Sequence, residues 1–362
     1  MQRIACFLVL SFLCLAPALA SASEAVRVRI QSGVSKVSLS GLNLRLINNP
    51  SQFRKVALPQ SQQLQIARVS VSGKTYWQIA EGDSSNNQDI MSAEDTLMVQ
   101  GENLHQEATA LPNKVVLQEG ADGRIDVIGV VPLDEYVFSV LANEMPLSWP
   151  LETLKAQAVA IRSYTEAILR DRKGKSFHVE SSVLDQVYKK ISHQQNQGLL
   201  EKARNAVKAT EGIVLVTKKG RTLKAFYHSD CGGKTVSAST VWSKEKDNDA
   251  GVAIDAGCPL NPMAQWRYRL PKSKFASYVK DFLGEIRSNE FRQILGFMNL
   301  RSTNFEMRDQ GEEIEFVGKG FGHGVGMCQW GSRTLGLKAY SYQRILKHYY
   351  PLAQLGNTLV KN

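Results

Sequence analysis

Beyond its first twenty residues the sequence has no apolar run long enough to span a bilayer, so no later segment reads as a membrane helix. Repeats and low-complexity tracts are missing, which excludes solenoid and collagen-like architectures. No Lys-Ser/Thr pair follows its glycine-rich loop in the register of a P-loop, and no parallel βαβ pattern frames that loop as a dinucleotide site. Cysteine is scarce: of five, Cys6 and Cys14 lie near the N-terminus, and Cys231, Cys258 and Cys328 follow without a C-x-x-C pair. The net charge is +10, but Lys and Arg are scattered and no basic-aromatic motif is present. Nucleic acid is therefore a poor partner, and the charge reads as a solvated surface with weak attraction to an anionic polymer.

The N-terminus carries a targeting pattern. Arg3 supplies a positive start, Ile4 to Ala16 is a short apolar stretch, and Ala18-Leu19-Ala20 is a small-residue cleavage site. Residues 1–20 are expected to be a signal peptide and the mature chain to start near Ser21. Phe12 and Leu13 precede Cys14 where a lipoprotein needs a small residue. The protein is expected to be exported, to the periplasm or to the cell wall and exterior. Three remaining cysteines in an oxidising compartment imply one disulfide and one thiol, or ligands for a metal.

From Val26 the sequence alternates, with Val26, Val28 and Ile30 against Arg27, Arg29 and Gln31, the pattern of a half-buried strand. Short strands are expected around residues 37–46, 66–71, 75–79, 96–99 and 115–117, punctuated by Gly41, Gly73 and Gly82. Asp122-Gly123 predicts a hairpin turn into Ile125–Val131. A helix is expected from Pro132 to about Glu144, because Pro146 forces the residue before it out of helical geometry. A second helix starts near Pro150, with Leu151, Leu154, Ala158, Ile161, Thr165 and Ile168 as its buried stripe. Lys155, Gln157, Arg162 and Tyr164 fall outside that stripe. The fold class is α+β: a β-rich part over residues 21–130, then a mixed helix and strand domain over 131–355.

Three segments hold candidate chemistry. Glu144 sits at a helix C-terminus among Met145, Leu147 and Trp149. The helix dipole and desolvation both raise a carboxyl pKa there, as a general acid near neutral pH requires. The stretch Gly318–Gly331 is dense in glycine around His323, Cys328 and Gln329, and glycine lets backbone approach a ligand closely. The stretch Phe226–Thr235 places His228, Ser229 and Cys231 at a strand-to-turn junction. A disulfide between Cys231 and Cys258 ranks first there because export favours it. Zinc ligation by His228, Cys231, Cys258 and His323 is a second reading, and a cysteine nucleophile with a histidine base is a third.

Several segments together resemble the stage II sporulation protein D family, which includes amidase enhancers. They are LDEYVFSVLANEMPLSWPLETLKAQAVAIRSYTEAIL (Leu133–Leu169), DQVYKK (Asp185–Lys190), YHSDCGGKT with VWS (Tyr227–Ser243), GFGHGVGMCQWGS (Gly320–Ser332) and SYQRILKHYYP (Ser341–Pro351). The resemblance implies a peptidoglycan lytic transglycosylase with a long substrate groove, acting on peptide-stripped glycan. Glu144 would be the acid/base that yields 1,6-anhydro ends after N-acetylmuramic acid. It further implies that Lys155, Gln157, Arg162, Tyr164, Gln186, Tyr188, His228, Ser229, His323 and Gln329 line the site, and that no cofactor is needed. Partners would be peptidoglycan glycan strands and a cell-wall amidase. The sequence departs from family members that hold zinc before the Q-x-Y motif: His178, Glu180 and Asp185 stand there without cysteine, and no metal is expected. The segment between Trp242 and Trp266 also lacks the usual Pro-Tyr-Leu. The competing function is a wall-binding enhancer of a separate amidase that does not cut.

Overall fold

The computed structural model describes residues 25–48, 54–57, 63–82, 90–92, 95–182, 185–191, 196–242, 245, 251–254, 261–262, 264–280 and 286–358. The expected signal peptide and Cys258 lie outside these residues.

The N-terminal half is one large sheet. Its strands are β1 (Val26–Val34), β2 (Lys36–Asn48), β3 (Arg54–Ala57), β4 (Gln63–Val71), β5 (Lys74–Glu81), β6 (Ile90–Ser92), β7 (Thr96–Gln106), β8 (Thr109–Ala110), β9 (Lys114–Glu119) and β10 (Ile125–Val131). Alternation drives the assembly, because successive side chains point to opposite faces of a strand. Val37, Leu39, Leu64, Ile66, Trp77, Ile79, Leu97, Val99, Val115 and Leu117 form a dry core of their own. The expected punctuation at Gly41 is not a strand end. β2 runs through it and bulges against β7, since a Cβ at Gly41 would stand 2.8 Å from the Glu102 carbonyl oxygen.

Two helices follow, α1 (Leu133–Glu144) and α2 (Leu151–Asp171). Pro132 and Pro150 precede their first turns, and Met145 is extended as its Pro146 neighbour demands. The rest of the chain contributes β11 (Val179–Glu180), α3 (Gln197–Lys208), β12 (Ile213–Val216), β13 (Tyr227–His228), α4 (Ala238–Val241), β14 (Gln265–Pro271), α5 (Lys272–Val279), α6 (Ser288–Leu295), β15 (Phe305–Asp309), β16 (Glu313–Lys319), β17 (Met327–Cys328), α7 (Gln329–Leu337), α8 (Tyr342–Tyr349) and β18 (Gln354–Asn357). With helices, antiparallel sheet and two short parallel pairs, β1 with β11 and β13 with β17, the class is α+β.

The single buried stripe expected for α2 is a correction. Leu154, Ala158, Ile161, Tyr164 and Ile168 pack with α1 and α3, while Ala156, Val159 and Ala160 pack with β12, α8 and β17 on another side. The helix is central, so residues outside the stripe are buried as well; Gln157, Arg162 and Tyr164 are all inside. After β12 the chain turns back as a short antiparallel hairpin, with Val216 bridged to Thr222 and the Leu223 amide donating to the Leu215 carbonyl at 2.8 Å, while β18 forms the longer ladder with β12.

The site is tied to the sheet by a short strand from the later half. β11 adds in parallel to β1, and the Arg27 backbone amide donates to His178 Nδ1 at 3.1 Å. Arg29 pairs with Glu180 and, at 3.2 Å, with Asp126 on β10. This anchors the segment that carries Gln186 and Val187 toward α1. No helix among the described residues is long and apolar enough to cross a membrane.

Candidate functional site

Glu144 ends α1, where the last turn has no basic residue to neutralise the helix terminus. Its Oε1 accepts from the Val187 backbone amide at 2.8 Å and, at 3.5 Å, from the Tyr227 hydroxyl. Both contacts use one oxygen; Oε2 makes none among the described residues. Burial pushes the Glu144 carboxyl above its ordinary value, and the two hydrogen bonds offset only part of that. The result is a carboxyl that holds its proton longer than a solvated one, with one oxygen oriented and the other available.

A second tier of contacts sets the orientation of Tyr227. Gln186 Nε2 donates to the Tyr227 hydroxyl at 3.2 Å. The Gln186 side-chain oxygen accepts from the Tyr136 hydroxyl at 3.0 Å and from the Thr165 hydroxyl at 2.9 Å. Tyr188 stacks on Tyr136 with ring centroids 5.5 Å apart. Asp185 braces the same segment, accepting from Tyr164 at 3.1 Å, Arg172 at 2.7 Å and the Glu180 amide at 2.9 Å. Burial raises the Tyr227 hydroxyl pKa well above its ordinary value, so it stays a neutral donor.

The glycine-rich loop arrives beside this tier through β17, which runs parallel to β13. Gly326, at φ +71°, turns the chain so tightly that a Cβ there would stand 1.9 Å from the Phe226 carbonyl oxygen. His323 packs against Trp242, Phe226 and His228 with centroid distances of 4.9, 5.9 and 5.5 Å. Its Nδ1 accepts from the Val325 amide at 3.1 Å. Burial, then the neighbouring His228, hold its pKa well below the ordinary histidine value, so the imidazole is neutral.

The structure divides the residues expected at the site. Glu144 of α1 and Tyr164 of α2 both bond the segment that carries Gln186 and Tyr188, through Val187 and Asp185, with His228 and His323 next to Tyr227. Arg162 is elsewhere: its guanidinium bonds Asp134 at 3.0 Å and the Thr210 carbonyl at 2.7 Å, tying α1 to the end of α3. Lys155 is held by Glu152 at 2.6 Å. Gln157 and Gln329 face one another at 3.5 Å inside the α2–α7 contact, and the Ser229 carbonyl accepts from the Trp330 amide at 3.1 Å. Tyr227 and the Val187 amide were missed. Tyr227 stands in a quoted motif, but a tyrosine beside a histidine is ordinary core, and no periodicity marks a backbone donor.

Among the described residues His323 meets the Tyr227 backbone and not the Glu144 carboxyl. His323→Ala is expected to lower the melting temperature and the rate together, with a stability loss of about 1–3 kcal/mol from the exposed hydrogen-bonding and packing partners. A rate measured per folded molecule, alongside the melting temperature, checks this. A fall in rate at unchanged melting temperature would instead put the imidazole on the substrate.

Comparison with known proteins agrees with the segments described. The SpoIID family model, described as stage II sporulation protein, matches residues 121–216, which hold α1, α2 and the Gln186 segment. Stage II sporulation protein D of Bacillus amyloliquefaciens is 31% identical over 260 residues, covering 61% of this chain and 73% of that protein. An uncharacterised protein of Brachyspira hyodysenteriae is 31% identical over 250 residues, covering 62% of this chain and 66% of that one. The amidase enhancer of Bacillus subtilis is 26% identical over 287 residues, covering 59% of this chain and 39% of the enhancer. The chain belongs to the stage II sporulation protein D family.

Proposed function

We propose that the protein is exported to the cell envelope and cleaves peptidoglycan glycan as a lytic transglycosylase, with Glu144 as its single acid/base. The observation that carries this reading is the Glu144 carboxyl itself: raised in pKa by burial, oriented through Oε1, and with Oε2 unengaged among the described residues. In the first half of the reaction the carboxyl protonates the glycosidic oxygen after N-acetylmuramic acid. The C1–O bond breaks and an oxocarbenium-like centre develops. The C6 hydroxyl of the same sugar then attacks C1 and gives its proton to the carboxylate, closing a 1,6-anhydro ring. Water is not consumed, so the second carboxylate of ordinary glycosidases has no task here.

The pH dependence follows from the sign of the shift. The Glu144 pKa is raised in the folded protein, so the acid form persists above the ordinary carboxylate value of about 4.3. Activity is expected to be full below the raised value and to fall as pH rises through it. A pH–rate profile of kcat/KM on purified, peptide-stripped glycan checks this. An alkaline limb at the ordinary carboxylate value would contradict the assignment.

A second reading rests on the relative named amidase enhancer. Under it the same groove grips glycan and stimulates a separate amidase without cutting. The two differ in products: only the transglycosylase leaves anhydro ends when the purified protein acts alone.

A further inference from the structure

At the β13–β17 pair three ligand-type side chains converge. His228, Cys231 and Cys328 each offer one ligand atom, and these atoms all lie within 4.8 Å of one another. All three residues are buried. They come from the two paired strands and the turn after β13, with His228 directly opposite Cys328 in the register. We propose that this cluster is a structural site for a thiophilic divalent cation of the zinc class, a role outside the glycan chemistry assigned to the groove. It departs from the metal-free expectation drawn from the sequence.

Three features of the cluster support a metal rather than ordinary core packing. The donor set, two thiols and one imidazole, suits a borderline-soft cation and not magnesium or calcium. Ligand atoms around tetrahedral zinc stand about 3.5–3.8 Å apart, given Zn–S near 2.3 Å and Zn–N near 2.0 Å, so only a small inward movement is needed. The outer contacts are also of the right kind. His228 Nδ1 lies 3.0 Å from the Val325 carbonyl oxygen, which can only accept, so Nδ1 carries the proton and Nε2 keeps the lone pair for a metal. The Gly331 amide donates to Cys328 Sγ at 3.3 Å, at the start of the nine-residue helix α7. The amide donor and the helix N-terminus favour the thiolate, while without metal the Cys328 thiol points its proton at the Ser229 carbonyl 3.7 Å away, a contact that metal binding would replace.

Binding would displace the two thiol protons and close a clip between β13 and β17. A water or another side chain completes the fourth position. The clip would fix Tyr227, the residue before His228, beneath Glu144. It would also hold the turn at Gly326 against Phe226.

The test uses the full exported protein and zinc ions alone. The protein is equilibrated with zinc, dialysed, and its metal content measured by elemental mass spectrometry. In parallel, alkylation of each cysteine is mapped with and without chelator. The expected result is a single retained equivalent of zinc per chain, with Cys231 and Cys328 protected until chelator is added. Replacing zinc with cobalt is expected to give thiolate-to-metal charge-transfer absorption. Cys328→Ser is expected to weaken zinc retention at least about tenfold and to remove the response of the melting temperature to chelator. Where that variant does not fold, the alkylation map of the unmodified protein decides. Reduced thiols with no retained zinc overturn the proposal, and so does recovery of Cys231 in a disulfide with Cys258. Metal content is read without substrate, so neither result bears on whether the groove cleaves glycan.

Discussion

Glu144→Gln is expected to reduce glycan cleavage by about 10²–10⁴-fold, the usual contribution of a positioned general acid. The amide keeps the shape of the side chain, and its oxygen still accepts from Val187, so α1 and the Gln186 segment retain their contacts. It has no proton to give to the leaving oxygen. The same change is expected to stabilise the fold at neutral pH. A carboxyl whose folded pKa is raised contributes stability that is complete below its unfolded value and is lost as pH rises through the folded value. Glutamine removes that loss. Higher melting temperature with lost activity is the signature of a group kept for chemistry at the expense of stability. Thermal melts of both proteins from acidic to neutral pH, beside initial rates, check both halves. A variant that melts earlier and still cuts would remove Glu144 from the chemistry.

Arg162→Met is expected to cost about 1–3 kcal/mol of stability, the range for removing a buried charged hydrogen-bond donor. Arg162 is 1% exposed, whereas its partner Asp134 is half exposed. The ion pair alone therefore contributes little. The cost lies in the carbonyls of Thr210, Ile213 and Val207, which now accept from the guanidinium at 2.7, 3.3 and 3.5 Å. Methionine fills part of the volume and donates nothing. The Thr210 and Val207 carbonyls keep backbone donors, the Ile213 amide at 3.1 Å and the Thr210 amide at 3.2 Å, so the loss is of the charge-assisted bonds and not of every partner. Turnover per folded molecule should stay near normal, because nothing from Arg162 touches Glu144. Denaturant unfolding with rates measured at matched folded fraction separates the cases. Unchanged stability with a weakened affinity for glycan would return Arg162 to the groove.

Much of this arrangement was legible in residue patterns, and the remainder depends on tertiary contacts. The end of α1 could be read because a proline restricts the residue before it whatever surrounds it. The strands of the N-terminal sheet could be read from alternation, but their pairing order could not, since register is a relation between segments. Gly41 looked like a break because glycine usually punctuates; here it admits a close strand crossing. For α2 the periodicity identified the helix and misplaced its environment: packing on several sides buries residues that spacing alone assigns to solvent.

The site divides along the same line. Glu144 was legible because a carboxyl at a helix terminus among apolar neighbours is unusual in itself. Its support was not. Val187 contributes a backbone amide, which has no sequence signature, and the Gln186–Tyr227 link joins residues far apart in the chain. Arg162 shows the limit of spacing, because a helix-face arginine and a buried staple look identical until Thr210 and Ile213 are folded against it. The cysteines show the reverse limit. Compartment and parity favoured a disulfide with Cys258, which lies outside the described residues; that the pairing of β13 with β17 brings Cys328 to Cys231 and His228 carries no sequence signature.

The most direct measurement is mass spectrometry of purified, peptide-stripped wall glycan digested by the protein and, separately, by Glu144→Gln. Fragments ending in 1,6-anhydro-N-acetylmuramic acid are predicted with the unmodified protein and not with the variant. Intact glycan with both proteins, or reducing ends formed by water, would contradict a Glu144-dependent transglycosylase.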